Sequence, residues 1–313
     1  MPFTAKSGKF SSSINAVTIG TGDRAVVIGG ENVLPFYTFD APIENAPKIG
    51  IEITDGGIEA EPACIQKFYE GCTTPAEMAA KAGTFEGVDF LNISLEGGDP
   101  NGENKSVDEL IDVLKACAEA TDLPIVVTGC KNAEKDGDLL AKAAEALEGR
   151  NALIFAAREE NYKQIGAAAG LAYRQVVGAE SADDINLAKQ LNVLMTQLGV
   201  NAKQIVMEPG TAAAGYGFEY VISTLDRIKA AAMQQGDATL QMPIMTPIAA
   251  ETWSVKEAMA SEEDMPEWGP QEERGIDMEV QTAAAVLASG SDAVIMRHPT
   301  AVATIANMVK ALI

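Results

Sequence analysis

Eight short apolar segments, each followed by a stretch of helical periodicity, run in order through residues 48–313, and this alternation constrains the fold more than any other feature. The segments are Ile49–Thr54, Asp89–Leu95, Ile125–Thr128, Ala152–Ala156, Gln175–Gly178, Ile205–Glu208, Pro243–Thr246 and Ala293–Met296. Helices are expected near Pro75–Lys81, after the capping box Ser106-Val-Asp-Glu109, over Asp138–Leu147 and from about Glu160. Further helices are expected after a cap at Ser181, over Glu219–Met233, near Met278–Ala288 and over Ala301–Leu312. Strands this short and continuously apolar are buried on both faces, as in a parallel sheet covered by helices. Eight such units in sequence favour closure into a (β/α)8 TIM barrel over an open sheet. The first strand is not followed by Gly-x-Gly-x-x-Gly opening a helix, which weakens a dinucleotide-binding alternative.

Upstream, Val17–Ile19 and Ala25–Ile28 flank Gly20-Thr-Gly-Asp23 and predict an N-terminal β-hairpin. Pro35, Pro42 and Pro47 break the following segment into an irregular connector. The expected organisation is a hairpin and connector over 1–47, covering the bottom of a barrel over 48–313.

Charge and cysteine usage exclude several function classes. Lys and Arg number 23 against 45 Asp and Glu, a formal net charge of -22. That balance opposes nucleic-acid binding, which depends on neutralising phosphates, and opposes adsorption to anionic membranes. A polar start over Met1–Ser13 and the lack of a long apolar run predict neither a secretory signal nor a membrane span, so a cytoplasmic location is expected. Cys64, Cys72, Cys117 and Cys130 form no Cys-x-x-Cys pair, and their spacing matches neither a zinc site nor an iron–sulfur cluster. Cys130 follows a strand and is either exposed there or a small core residue.

Function in such a barrel sits on the loops after the strand C-termini. Four loops stand out: Asp55-Gly-Gly57, Glu96–Asn104, Glu208–Gly217, and Ile248–Gly275 with Trp253 and Trp268. Their glycines permit close backbone approach to a ligand, and Asn101, Asn104 and Thr211 carry hydrogen-bonding side chains. Glu208, with Glu96 or Asp55, has the position of a barrel acid or base, or else forms salt bridges to Arg158 or Arg297. The chemistry around it is sparse. The expected strands hold no interior lysine for a Schiff base, the single histidine, His298, rules out a His-rich metal site, and there is no Gly-x-Ser-x-Gly elbow. Glu208 is therefore expected to take no part in chemistry. His298 follows the last strand in Met296-Arg-His-Pro299, on the functional face or as a capping or packing residue, and lies outside any Asp-x-His-x-x-Gly cobalt-ligating pattern.

Val27-Ile-Gly-Gly-Glu-Asn-Val-Leu-Pro-Phe-Tyr37, Ser106-Val-Asp108, Gln190-Leu-Asn192, Gly215-Tyr-Gly-Phe-Glu-Tyr220 and Met296-Arg-His-Pro299 together resemble the delta-subunit family of carbon monoxide dehydrogenase/acetyl-CoA synthase. The similarity is to the small subunit of the corrinoid/iron–sulfur protein and runs along the whole chain. The resemblance implies a heterodimer in which a large subunit holds a [4Fe-4S] cluster and most contacts to a corrinoid (a cobalamin). This barrel would cap the corrinoid with its C-terminal face. It further implies methyl transfer from methyltetrahydrofolate, through a separate methyltransferase, to acetyl-CoA synthase, with a reductive activator as an additional partner. The loop residues expected to face the corrinoid are Asp99, Asn101, Asn104, Thr211, Tyr216 and His298. The alternatives are a pterin-dependent methyltransferase using Asp55, Asn101 and Asn104, and a generic barrel lyase.

Overall fold

The computed structural model describes residues 6–313; the first five residues of the expected hairpin-and-connector segment lie outside it. Strands β1 (Val17–Ile19) and β2 (Val26–Ile28) form an antiparallel hairpin. Eight strands follow: β3 (Lys48–Thr54), β4 (Phe90–Ser94), β5 (Ile125–Thr128), β6 (Leu153–Ala157), β7 (Val176–Glu180), β8 (Ile205–Glu208), β9 (Met245–Pro247) and β10 (Ala293–Met296). Every pairing among them is parallel, and β10 pairs with both β3 and β9. A parallel bridge between Met207 and Ile244, with the Met207 N–H donating to the Pro243 carbonyl at 2.8 Å, joins β8 to β9. The ring is therefore complete, as expected for the (β/α)8 TIM barrel.

Eight principal helices surround it: α1 (Pro75–Ala82), α2 (Val107–Glu119), α3 (Ala133–Ala146), α4 (Tyr162–Ile165, continuing as π-helical turns to Ala172), α5 (Ile185–Leu198), α6 (Phe218–Lys229), α7 (Gln271–Ser289) and α8 (Pro299–Leu312). Thr74 and Ser106 open α1 and α2 with complete capping boxes, each hydroxyl accepting the N3 amide while the N3 glutamate reaches back. The expected cap at Ser181 is displaced. Ala182 and Asp183 adopt left-handed φ, the chain turns, and the Asp184 carboxylate accepts the amides of Asn186 and Leu187 instead.

Two apolar layers result. One lies between strands and helices; the other fills the barrel, where Phe90, Val126, Phe155, Val206 and Ile295 pack with Val17, Ile19 and Ile28 of the hairpin. The hairpin plugs the N-terminal end. Gly20 N–H donates to the Asn151 carbonyl, and the Asn151 amide donates to the Thr18 carbonyl, both at 2.8 Å. A buried ion pair reinforces this: the Lys229 ammonium on α6 donates to Glu31, beyond the hairpin, and to Asp292, before β10, at 2.5 and 2.8 Å. Gly50 and Gly178 make room inside, because a β-carbon on either would overlap the ring of Phe90 or Phe155. With its lower end filled by the hairpin, the barrel interior opens toward the strand C-termini.

Candidate functional site

At that end the inward-facing residues change from apolar to polar. Gly50 pairs with Phe90 in the lower barrel; two residues on, Glu52 pairs with Asn92, and further round the ring Glu180 pairs with Glu208. The Asn92 amide donates to Glu52 at 2.8 Å and to the Thr128 hydroxyl at 3.2 Å. Above this layer opens a cavity of about 480 Å³, whose lining includes Glu52, Asp99, Thr128, Arg158, Glu208 and Thr211.

Both of its cations and three of its carboxylates are ion-paired. Arg158 Nε donates to Glu180 at 2.7 Å, Arg297 Nη2 to Glu52 at 2.6 Å, and Lys131 Nζ to Glu251 at 3.1 Å. Asp136 accepts the Cys130 amide at 2.7 Å. Asp55 accepts the Gly97 amide at 2.8 Å and the Lys105 ammonium at 2.7 Å, so it staples the loop after β4. The expectation of salt bridges from Glu208 to Arg158 or Arg297 is corrected: both arginines serve other carboxylates. Glu208 is 8% exposed and its carboxyl makes no hydrogen bond or ion pair among the described residues. Burial first, and the neighbouring Glu180 charge second, raise its pKa well above the usual carboxylate range, against the pull of Arg158 and Lys131.

The residues expected to face a corrinoid divide into three groups. Asp99 and Thr211 line the cavity; Asp99 accepts the backbone and side-chain amides of Asn101, and the Thr211 hydroxyl donates to the Pro247 carbonyl at 3.0 Å. Asn101, Asn104 and Tyr216 are exposed on the surrounding loops, Asn104 accepting from Lys135 at 2.9 Å and the Tyr216 hydroxyl donating to Glu257. His298 differs and is corrected: it is wholly buried, beside Phe68 and stacked on Trp253 with ring centroids 5.7 Å apart. Its Nδ1 accepts the Thr300 amide and caps α8, and burial pushes its pKa down to about 4. The ring orders the interior and does not reach the cavity.

Trp253, on one of the four loops expected to carry function, is also buried, whereas Trp268 is 36% exposed, with Lys256 and Arg274 above its ring. Cys130 is buried and its thiol is pushed up to about 11, chiefly by desolvation, which settles the core reading. Sequence reasoning missed Glu180 because it ended the fifth strand at Gly178. The alternation Gly178–Glu180, in phase with a strand ending on Glu208, was the available signal.

A plugged barrel with a carboxylate-rich cavity at the strand C-termini and an exposed aromatic rim defines a (β/α)8 protein whose candidate site lies at its C-terminal face. Residues 16–308 match the model of the CO dehydrogenase/acetyl-CoA synthase delta subunit family, and the chain belongs to that family. The delta 1 subunit of the acetyl-CoA decarbonylase/synthase complex of Methanosarcina thermophila is 34% identical over 300 residues, covering 94% of this chain and 67% of the relative. The delta subunit from Archaeoglobus fulgidus is 35% identical over 299 residues, covering 94% and 65%. The chain thus spans about two thirds of the length of these relatives. Among solved structures, dihydropteroate synthase from Xanthomonas albilineans superposes with a TM-score of 0.55 at 13% identity, covering 95% of this chain and 98% of that one. The Thermus thermophilus enzyme gives 0.52 at 16% identity, covering 95% and 100%. These two likenesses concern the fold.

Proposed function

We propose that this chain is the small subunit of a heterodimeric corrinoid/iron–sulfur methyl carrier and that its C-terminal face covers the corrinoid. Beside family membership, one observation carries the reading. Around the mouth of a barrel whose other end is plugged, Tyr216, Tyr220, Met259 and Trp268 expose 36–67% of their surface. Exposed aromatic and methionine side chains gathered on one face mark a surface that a partner covers. The Asn101 side chain and glycine-rich backbone lie at or near the surface, which suits a large, mostly neutral ligand.

When bound, the corrinoid supplies a cobalt that accepts and releases the methyl group. This chain's residues exclude water from that face and orient the ligand's edge, and the reading assigns them no cobalt bond, since His298 is enclosed. The cluster and most corrinoid contacts belong, in this reading, to the large subunit. A methyltransferase using methyltetrahydrofolate, acetyl-CoA synthase and a reductive activator are the transient partners, in the cytoplasm. Among the described residues no helix is long and apolar enough to cross a membrane. A cap must also lift to admit each partner, which suits loops joined to a rigid barrel.

Gel filtration with the large subunit, followed through the visible absorbance of the corrinoid, tests the proposal. Co-elution of both chains with the corrinoid is expected, and a monomer that ignores the large subunit contradicts it.

A further inference from the structure

The cavity has chemistry of its own that capping does not use. Eight carboxylates and only two cationic side chains line it, and both cations are engaged, Arg158 by Glu180 and Lys131 by Glu251. Glu52, the other deep carboxylate, is paired with Arg297. The remaining deep carboxylate, Glu208, lines the same space, is more than nine-tenths buried, and has no hydrogen-bond partner among the described residues. Its carboxyl opens onto the cavity, so what satisfies it is whatever occupies that space and not a protein group. A carboxylate set among Glu180, Arg158, Lys131 and Glu251, with both cations bonded to the other carboxylates, is a poor structural element, because a neutral side chain of similar size would fill the position without the desolvation cost.

We infer that this cavity is a binding site for a small organic cation, with a protonated guanidinium or amine seated on Glu208 and an apolar portion against Phe155, Ala156 and Pro247. The inference concerns this chain alone and does not rest on the proposed corrinoid role. An anion is opposed by the charge balance. A divalent metal ion is disfavoured by geometry, since no three His, Cys, Asp or Glu side chains among the described residues converge at ligating distance. The volume of about 480 Å³ and the mixed lining suit an organic molecule, within the usual ~300–1,000 Å³ of small-molecule sites. The groups facing Glu208 are Glu180 on β7, Arg158 after β6, Lys131 after β5 and Glu251 after β9. Burial and the neighbouring Glu180 charge hold the Glu208 carboxyl above the ordinary range, so it binds its proton more tightly than a free carboxyl does. A cation seated on the carboxylate therefore displaces that proton to solvent, and binding strengthens as pH rises.

The test is isothermal titration of the full chain at fixed ionic strength with n-butylguanidinium, its neutral near-isostere n-butylurea, and magnesium ion. One n-butylguanidinium per chain is expected, with n-butylurea weaker by ~tenfold or more. Proton release should appear as a dependence of the heat on buffer ionisation enthalpy. Glu208→Gln should weaken the cation by ~tenfold and abolish the proton release, while Glu145→Gln on the outer helix α3 should change neither. Equal binding of n-butylurea, displacement by magnesium, or unchanged affinity in Glu208→Gln would overturn the site. If Glu208→Gln fails to fold, the wild-type comparison of charged and neutral ligands, with its proton release, decides alone.

Discussion

Arg297 and Glu52 meet at 2.6 Å across the seam where β10 pairs with β3, and both are buried. Glu61, also buried, lies 3.8 Å from the same guanidinium, and neither of its carboxyl oxygens has a hydrogen-bond partner among the described residues. One cation thus holds two carboxylates inside the protein. Removing one partner of a buried pair costs about 3–5 kcal/mol, because the other charge stays desolvated. Arg297→Met should lower the midpoint of denaturant unfolding by a corresponding amount. Arg297→Lys should recover only part, since an ammonium cannot present a planar fork to both carboxylates.

Gly50 is fixed by the ring beside it. Gly50→Ala places a methyl group inside Phe90 and should cost ~1–3 kcal/mol through overpacking. Adding Phe90→Leu should restore part of that loss. A double variant no more stable than Gly50→Ala would show that the strain lies elsewhere.

The plug is tested in the same way. Ile19 is fully buried among residues of the barrel interior. Ile19→Ala should cost ~2–5 kcal/mol in unfolding free energy, as for other core truncations. A change within ~0.5 kcal/mol, typical of surface positions, would show that the hairpin does not hold the barrel.

Much of this architecture is legible in the chain because local and long-range signals agree. Ile125–Thr128, Ile205–Glu208 and Ala293–Met296 are continuous apolar or strand-favouring runs, and they form strands with those bounds. Where charge interrupts apolar periodicity, the boundary shifts: α7 starts at Gln271, ahead of the expected Met278, because Gln271-Glu-Glu-Arg-Gly275 gives no amphipathic pattern. The site was legible by loop but not by side chain. Asp99 and Thr211 reach the cavity, while Trp253 and His298 pack on each other beneath the surface, a pairing of residues far apart in sequence that no local pattern reveals.

Acid dependence follows from buried carboxyls. Burial raises Glu61 and Glu279 to about 7, so the folded chain holds protons that the unfolded chain has released. Stability from these groups is complete below the ordinary carboxylate pKa and is lost as pH rises through about 7. His298, lowered to about 4, acts oppositely, but only between that value and its ordinary 6.5. Above that point the carboxyls dominate. The melting temperature should therefore fall from pH 6.5 to 8, and Glu61→Gln should flatten the slope; a rise over that interval would contradict the assignment.

The exposed rim separates binding from folding. Tyr220→Ser with Trp268→Ser should leave the stability of the isolated chain within about 1 kcal/mol, because both side chains are exposed. The same pair should weaken association with the large subunit by at least ~tenfold if these aromatics anchor it. Trp253→Ala, from the buried position, should instead destabilise the fold by ~3–5 kcal/mol.

The central claim is that this barrel covers a methyl carrier and performs no methyl transfer of its own. The direct measurement is methylation of the corrinoid in the reconstituted heterodimer by methyltetrahydrofolate, with and without the separate methyltransferase. Rapid methylation is expected only when that enzyme is present, and none by this chain alone. Methylation at a comparable rate in its absence, lost when this chain is omitted, would contradict the account and make the barrel itself the methyltransferase.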